Sequence, residues 1–157
     1  MKREAYQTLL DDLPILFSYK TPFITLLANL SAELKGRLTY CSWVGFYLLE
    51  NGELILGPFQ GKPACETIAI GKGVCGTCVS TKQTIIVKDV HTFEGHIACD
   101  GASRSEIVIP LIIDGHVWGV LDLDSYKFGA FDEVDKTYLE QVASFINRIV
   151  TLPKHSN

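Results

Sequence analysis

Two short turns constrain the fold of this chain more than any other feature of its sequence. An Asn-Gly pair at 51–52 and an Asp-Gly pair at 114–115 each separate two runs rich in β-branched, aromatic and aliphatic residues. Such pairs favour two-residue hairpin turns, because both central residues need a positive φ. The flanking runs are 39–49 and 54–56 for the first turn, and 107–113 and 116–124 for the second. We predict two antiparallel hairpins, with an edge or a bulge at Pro110, which cannot donate to a ladder.

Helical periodicity is present on both sides of the predicted hairpins. Leucines and aromatic residues recur at helical spacing from Glu4 to Leu38, with Pro22 where a second helix can begin, and again from Phe131 to Leu152. The segments between the hairpins predict short strands at 67–70 and 85–87 and a short helix at 75–81. Residues 89–104 show no period, which is typical of a functional or mobile segment. The predicted fold class is α+β, with helices on one face of a central antiparallel sheet.

Composition excludes several classes of protein. The chain has 157 residues, enough for one domain, which we predict over 1–157. Its net charge is −4 and it has no basic run, so we expect no nucleic-acid partner. No apolar stretch approaches the ~20 residues that span a bilayer, and the first residues lack the apolar core of a signal peptide. We therefore expect no membrane contact and a cytoplasmic location.

Five cysteines are the main chemical feature of the chain: Cys41, Cys65, Cys75, Cys78 and Cys99. A secreted disulfide framework usually has an even number of cysteines in a shorter chain. In a reducing cytoplasm, several cysteines are more typical of metal ligands, redox thiols or core residues. All three interpretations are open at this point.

One motif match is to a dinucleotide-binding fingerprint. Glycines at 71, 73 and 76 give Gly-x-Gly-x-x-Gly, and Asp89 follows them. The fingerprint requires a full crossover helix between two parallel strands, but only 78–83 remain for that helix. We therefore interpret the glycines as a tight turn that leads into a helix.

Two further matches share Cys75 and Cys78. One is the spacing of a two-cysteine, two-histidine zinc finger, Cys75-x2-Cys78-x12-His91-x4-His96, but a strand at 85–87 and Gly95 do not fit its helix. The other is a Cys-x-x-Cys redox pair, whose first cysteine would have a lowered pKa at a helix N-terminus. Cys78 fits equally well as a small core residue.

Five segments together carry a more specific signal: 57–65, 71–77, 95–100, 105–108 and 119–125. They closely resemble the corresponding segments of the free methionine-(R)-sulfoxide reductases, single-domain proteins of the GAF fold. The match runs in register from about Trp43 to Phe131. The resemblance implies a GAF-like domain, with N- and C-terminal helices packed on one face of the central sheet and a loop-covered pocket on the other.

The resemblance also implies an oxidoreductase that reduces free L-methionine (R)-sulfoxide to methionine. The catalytic cysteine would become a sulfenic acid and then a disulfide, and thioredoxin would restore the thiols, with no bound cofactor or metal. Cys99 lies in the irregular segment and is expected to attack the substrate. Cys65 is the first choice and Cys75 the second for the resolving thiol, and which pair closes first stays open. Analogy with other GAF domains suggests a homodimer.

The expected substrate pocket combines carboxyl and aromatic side chains. Glu106, Asp122 and Asp124 match acidic positions of the family, and strand alternation directs Asp122 and Asp124 to one face. Mutual repulsion should raise at least one pKa, so that one carboxyl donates a proton to the sulfoxide oxygen while an ionised neighbour holds the substrate ammonium. Which carboxyl is the donor stays open. Trp43 and Tyr47 match aromatic positions that would pack against the substrate S-methyl group.

The main alternative is a non-catalytic GAF module that senses a small ligand or the redox state. It would bind its ligand without turnover. A structural zinc protein is the third hypothesis. Cys41 and Cys78 are expected to be incidental, and His96 either assists Cys99 or only shapes its loop.

Overall fold

The computed structural model describes residues 1–150 and consists of a six-stranded antiparallel sheet with helices on both faces. The strands are β1 Trp43–Glu50, β2 Glu53–Gln60, β3 Thr67–Ala69, β4 Ile85–Val87, β5 Ser105–Ile113 and β6 His116–Ser125. The α-helices are α1 Lys2–Leu16, α2 Phe23–Arg37, α3 Gly73–Thr81 and α4 Glu133–Ile149, and a 3₁₀ turn covers Val90–Thr92. The strand order across the sheet is β3-β2-β1-β6-β5-β4.

Both predicted hairpins are present. Asn51 and Gly52 have φ values of 51° and 82°, and Asp114 and Gly115 have 51° and 77°, as two-residue turns of this type require. They join β1 to β2 and β5 to β6. The strand β2 runs to Gln60, well past the predicted 54–56, because a bulge lets it continue beside β1.

The strand β5 explains how Pro110 is accommodated. The strand β4 pairs with β5 only as far as Val108, so Pro110 lies where β5 is an edge strand. Its missing N–H therefore removes no bond between strands on that side. The prediction of an edge at Pro110 is confirmed.

Three long helices cover one face of the sheet. The helices α1, α2 and α4 bury a continuous core against inward residues of β1, β5 and β6, including Phe46, Ile109 and Leu121. The predicted break at Pro22 is confirmed, since Pro22 directly precedes α2. The closing helix is confirmed to Ile149, and its predicted end at Leu152 lies outside the described residues. No helix within 1–150 is long and apolar enough to cross a membrane.

A buried carboxylate fastens α1 to α4. Asp135 has no exposed surface and accepts hydrogen bonds of 2.6 Å from the hydroxyls of Tyr6 and Tyr40 and from Lys2 Nζ. The ammonium group of Lys2 compensates the buried charge. This network lies in the helix-covered core, on the opposite side of the sheet from the pocket described below.

The glycine motif is a turn into α3 and not a dinucleotide site. The strands β3 and β4, which flank α3 in sequence, lie at opposite edges of the antiparallel sheet, so they do not form a parallel crossover unit. Gly71 and Gly73 have positive φ values of 81° and 59°. The rejection of the dinucleotide fingerprint is therefore confirmed.

Substitution of Gly76 by alanine should destabilise the pocket side of the domain. A Cβ atom at Gly76 would collide with the carbonyl oxygen of Ala69, and backbone bonds to Gly71 and Lys72 hold Gly76 in place. We expect the free energy of unfolding to fall by about 1–3 kcal/mol in urea titrations. Gly36→Ala is the matched control, because a Cβ there meets nothing within 4 Å in α2. Equal stability of both variants would contradict the prediction.

Candidate active site

A pocket opens on the sheet face opposite α1, α2 and α4. Its floor comes from β1, β5 and β6, and its walls come from α3 and the two loops 61–66 and 93–104. Of the eight predicted site residues, seven line the pocket: Trp43, Tyr47, Cys75, Cys99, Glu106, Asp122 and Asp124. Cys65 lies beside the pocket-lining Ala64 and is bonded to Cys99. The structure therefore brings together all the residues that the sequence predicted for the site.

Three carboxyl groups converge on the pocket floor. Glu106 pairs directly with Asp124 across β5 and β6, and Asp122 lies two residues before Asp124, on the same face. The adjacent Leu121 and Leu123 point into the helix-covered core, as strand alternation predicted. Glu106 and Asp122 are only 6% and 5% exposed.

Burial changes the charge state of this carboxyl cluster. It raises the pKa of Glu106 and of Asp124 well above the usual range, and the charge of Asp122 adds to both shifts. Burial raises the pKa of Asp122 only to about 6, since hydrogen bonding to Glu106 and Cys75 stabilises its carboxylate. Asp122 is therefore the member of the cluster that ionises first. Its Oδ1 is buried and has no hydrogen-bond partner among residues 1–150.

A disulfide links the two loops that form walls of the pocket, and we call this side of the pocket its mouth. It joins Cys65, in the loop between β2 and β3, to Cys99, in the loop before β5, with a Cα–Cα distance of 5.3 Å. Both cysteines are partly exposed, so a reductant can reach the bond from solvent. Of the two resolving cysteines considered from the sequence, Cys65 is the one bonded to Cys99 in this structure.

Cys75 is a free, buried thiol in the first turn of α3 and lines the same pocket as Cys99. Its Sγ is 3.9 Å from Glu106 Oε1, to which the thiol donates. Burial raises the pKa of Cys75 well above its ordinary value, and the charges of Asp122 and Glu106 raise it further. The lowered pKa expected for a Cys-x-x-Cys cysteine at a helix N-terminus is therefore wrong here, because desolvation and carboxylates outweigh the helix terminus.

Cys41 and Cys78 lie in the two apolar cores, and neither takes part in the disulfide. Cys78 has no exposed surface and its Sγ lies 3.8 Å from the carbonyl oxygen of Val108. Cys41 belongs to the core beneath the three long helices. Burial raises the pKa of both thiols, so neither has the exposure or the ionisation of a reactive cysteine.

Two aromatic residues of β1 hold the loop that carries Cys65. Trp43 Nε1 donates to the carbonyl oxygen of Lys62 at 3.0 Å, and the Tyr47 hydroxyl donates to that of Cys65 at 2.9 Å. Trp43 also stacks on Phe59, with ring centroids 5.3 Å apart. The predicted aromatic wall is thus present, and its polar edges fix the loop as well.

The structure does not group the two cysteines and two histidines of the zinc-finger motif as metal ligands. Cys75 is grouped with Glu106 and Asp122, with one donor atom of each within 4.8 Å of the others. These three donors lie close enough to share a cation, but neither histidine of the zinc-finger motif is among them. His91 is exposed and pairs with Asp89 at 2.8 Å.

Three pocket neighbours were not among the predicted site residues. His96, for which the sequence left open a role beside Cys99 or in shaping its loop, lines the pocket; its buried Nδ1 has no partner among residues 1–150, and burial lowers its pKa. Asp100 also lines the pocket and accepts a hydrogen bond of 2.8 Å from the hydroxyl of Tyr126. Strand alternation would have indicated Tyr126, since it follows Asp122 and Asp124 at the same two-residue interval.

The sheet order, the three long helices on one face, and the pocket walled by α3 and loops on the other define a GAF domain. The GAF domain family matches residues 23–151.

Similar proteins indicate which family of GAF domains this chain belongs to. Free methionine-R-sulfoxide reductase of Escherichia coli is 49% identical over 149 residues, which are 95% of this chain and 90% of that protein. The free methionine-R-sulfoxide reductase of Neisseria meningitidis, solved in complex with its substrate, is 41% identical, has a TM-score of 0.92, and matches over 95% of this chain and 90% of its own. A protein of Burkholderia vietnamiensis described as a GAF sensor is 48% identical with a TM-score of 0.88, over 92% of both chains. This chain belongs to the free methionine-R-sulfoxide reductase family of GAF domains.

Proposed function

We propose that this protein reduces free methionine (R)-sulfoxide to methionine, using Cys99 as the nucleophile. The observation that carries the proposal is the pocket with the Cys65–Cys99 disulfide at its mouth and three carboxyl groups on its floor. The relatives that carry this activity in their names support the same substrate. An amino-acid substrate suits the pocket, because the carboxyls attract an ammonium group and the aromatic wall suits a thioether.

The first step forms a sulfenic acid. The Cys99 thiolate attacks the sulfoxide sulfur, and a transient bond forms between the two sulfur atoms while the sulfoxide oxygen takes a proton. The hydroxyl then passes to the Cys99 sulfur, as both the S–O bond and the transient sulfur–sulfur bond of the substrate break. Methionine leaves with its sulfur reduced, while the Cys99 sulfur is oxidised by the same two electrons. A neutral carboxyl is the natural proton donor, and Glu106 and Asp124 are the candidates because burial keeps their pKa values high.

The second step closes the disulfide. The Cys65 thiol attacks the sulfenic sulfur of Cys99, an S–S bond forms, and the hydroxyl leaves as water. The buried thiol of Cys75 is the weaker candidate for this role, because its raised pKa leaves little thiolate at neutral pH. A dithiol reductant, which we propose to be thioredoxin, then attacks the partly exposed bond and restores both thiols.

Substrate binding divides the roles of the carboxyls. Asp122 ionises first and supplies the negative charge for the substrate ammonium, whose N–H groups satisfy the unpartnered Oδ1. Trp43 and Tyr47 form the aromatic wall for the S-methyl end. Because the floor would hold the ammonium group, a residue within a peptide chain would lack the group that the site recognises.

An epimer-resolved assay tests this function. With dithiothreitol or thioredoxin as reductant, the protein should consume the (R) epimer of free methionine sulfoxide, leave the (S) epimer, and leave peptide-bound methionine sulfoxide unreduced. Chromatography of methionine after incubation with each substrate gives the measurement. Turnover of the peptide at a rate comparable to that of the free amino acid would contradict the recognition of an ammonium group.

The second candidate function is a GAF module that reports the redox state through the Cys65–Cys99 disulfide. The similarity to a protein described as a GAF sensor favours it. Such a module would form and break the disulfide with oxidants and thiols but would release no methionine from the sulfoxide. The same assay of methionine release separates the two functions.

We also propose that the protein assembles as a homodimer and is located in the cytoplasm.

A further inference from the structure

Tyr126 occupies a position between the two loops that carry the disulfide. It follows β6 directly, and its hydroxyl donates to Asp100 Oδ2 at 2.8 Å, so it holds the residue next to Cys99. Lys62, in the loop that carries Cys65, places its ammonium group 5.6 Å from the centroid of the Tyr126 ring. One side chain thus contacts both sides of the pocket mouth.

The base of Tyr126 is rigid. Ser125, the last residue of β6, donates through Oγ to the carbonyl oxygen of Tyr40, and its own carbonyl oxygen accepts the backbone N–H of Arg104 at 2.8 Å. That bond holds Arg104, the last residue of the Cys99 loop, whereas Cys99 itself, within the part of the chain that the structure describes, makes only a local backbone hydrogen bond, from its N–H to the carbonyl oxygen of Ile97. The bond from Tyr126 to Asp100 is therefore a direct tie between the sheet and the neighbour of Cys99.

The two cysteine loops are held by different residues. The Cys65 loop is fastened to β1 by the hydrogen bonds from Trp43 and Tyr47. The Cys99 loop is fastened to the end of β6 at Arg104 by its backbone bond to Ser125, and next to Cys99 by the bond from Tyr126 to Asp100. No cysteine side chain takes part in these hydrogen bonds, so reduction of the disulfide removes no donor or acceptor from either tie. A tie of this kind raises the effective concentration of one thiol at the other.

We propose that Tyr126 is a positioning residue that holds the Cys99 loop within reach of Cys65 and so accelerates disulfide closure. This inference rests on the proposed function for the identity of the sulfenic acid that Cys65 resolves. Tyr126 acts through Asp100 and touches neither the substrate nor the reacting sulfur atoms. Its loss should leave the first step intact, slow the second and lengthen the life of the sulfenic acid.

Tyr126→Phe is the test, because phenylalanine keeps the ring beneath Lys62 and removes only the hydroxyl. In single-turnover experiments on the reduced protein, we expect wild-type methionine release, disulfide closure slowed about three- to ten-fold, and more sulfenic acid trapped by dimedone. At equilibrium with dithiothreitol, the constant for forming the disulfide should fall by a similar factor. Tyr19→Phe is the matched control, since Tyr19 is an exposed tyrosine with Lys20 over its ring.

Asp100→Asn tests the same bond from the other partner. The amide oxygen can still accept the backbone N–H of Ala102, but the carboxylate acceptor for Tyr126 is lost. If the two residues act through one bond, the double variant will close its disulfide no more slowly than the slower single variant. Fully additive effects, or closure at the wild-type rate in Tyr126→Phe, would overturn the proposal.

The equilibrium with dithiothreitol involves no methionine sulfoxide, so it reports on Tyr126 independently of the substrate. If the wild-type protein released no methionine from the sulfoxide, the proposed function would be overturned. A lower equilibrium constant for disulfide formation in Tyr126→Phe would still support the positioning role. A wild-type protein that turns over normally, beside a Tyr126→Phe variant with an unchanged disulfide constant, would overturn only the positioning role. Equal thermal unfolding of both reduced proteins excludes a general loss of structure.

Discussion

Cys99→Ser should lose the reductase activity almost completely, by at least about 10³-fold in turnover. A serine hydroxyl stays protonated at neutral pH and cannot accept the sulfoxide oxygen as a sulfenic acid. Neither remaining candidate thiol should replace it: Cys75 is buried with a raised pKa, and Cys65 lies outside the set of pocket-lining residues. The measurement is methionine release, followed by chromatography under both single and multiple turnover.

Cys65→Ser should behave differently and so separate the two steps. We expect one equivalent of methionine per protein in a single turnover, followed by a stalled sulfenic acid that dimedone traps. Cys41→Ala is the matched control, because Cys41 lies in the core on the opposite face of the sheet. Rapid multiple turnover by Cys99→Ser would show that Cys99 is not the nucleophile. A normal first turnover in Cys99→Ser together with no first turnover in Cys65→Ser would lead to the same conclusion.

Local sequence signals predicted the two hairpins and the shared face of Asp122 and Asp124 correctly, because each depends on residues close together in the chain. That these carboxyls line a pocket was indicated only by the family resemblance. The turns at 51–52 and 114–115 determine which strands pair as hairpins. Once β6 is recognised, the period of two directs Asp122 and Asp124 to the same face. The same rule reaches Tyr126, which the sequence analysis did not consider because it lies past the end of the apolar run.

The disulfide and the behaviour of Cys75 could not be derived in this way. Cys65 and Cys99 are 34 positions apart on irregular loops, and no periodicity relates them, so only the family resemblance made them redox candidates. The raised pKa of Cys75 could not be predicted either: a helix N-terminus can be recognised in sequence, whereas complete burial beside Glu106 and Asp122 depends on the packing of α3 against β5 and β6.

Ionisation of Asp122 should increase the affinity for the substrate and decrease the stability of the folded protein. Groups that face it come from every packed element: Glu106 on β5, Asp124 on β6, Cys75 on α3 and Tyr47 on β1. Above its pKa of about 6, Asp122 is ionised and can bind the substrate ammonium; below it, the attraction is lost. We therefore expect KM for the free sulfoxide to rise as pH falls through about 6.

Stability of the substrate-free protein should change in the other direction. The pKa of Asp122 is raised from 3.8 to about 6 on folding, so the folded state binds the proton more tightly than the unfolded state does. The stabilisation from protonation is fully present below the unfolded value and is lost as pH rises through about 6. Urea titrations between pH 7 and pH 4 should show a gain of up to about 3 kcal/mol on acidification from this group.

Asp122→Asn removes the charge and should remove both effects. We expect KM at pH 7 to rise by about ten- to a hundred-fold, since a charge-assisted hydrogen bond is lost, with a smaller change in kcat. The rise of KM below pH 6 should disappear, and the stability gain on acidification should shrink by the contribution of this group. Glu106→Gln is the comparison variant, because a proton donor would affect kcat more than KM. A wild-type KM in Asp122→Asn would show that another group holds the ammonium, and an unchanged pH dependence of stability would show that another carboxyl titrates near pH 6.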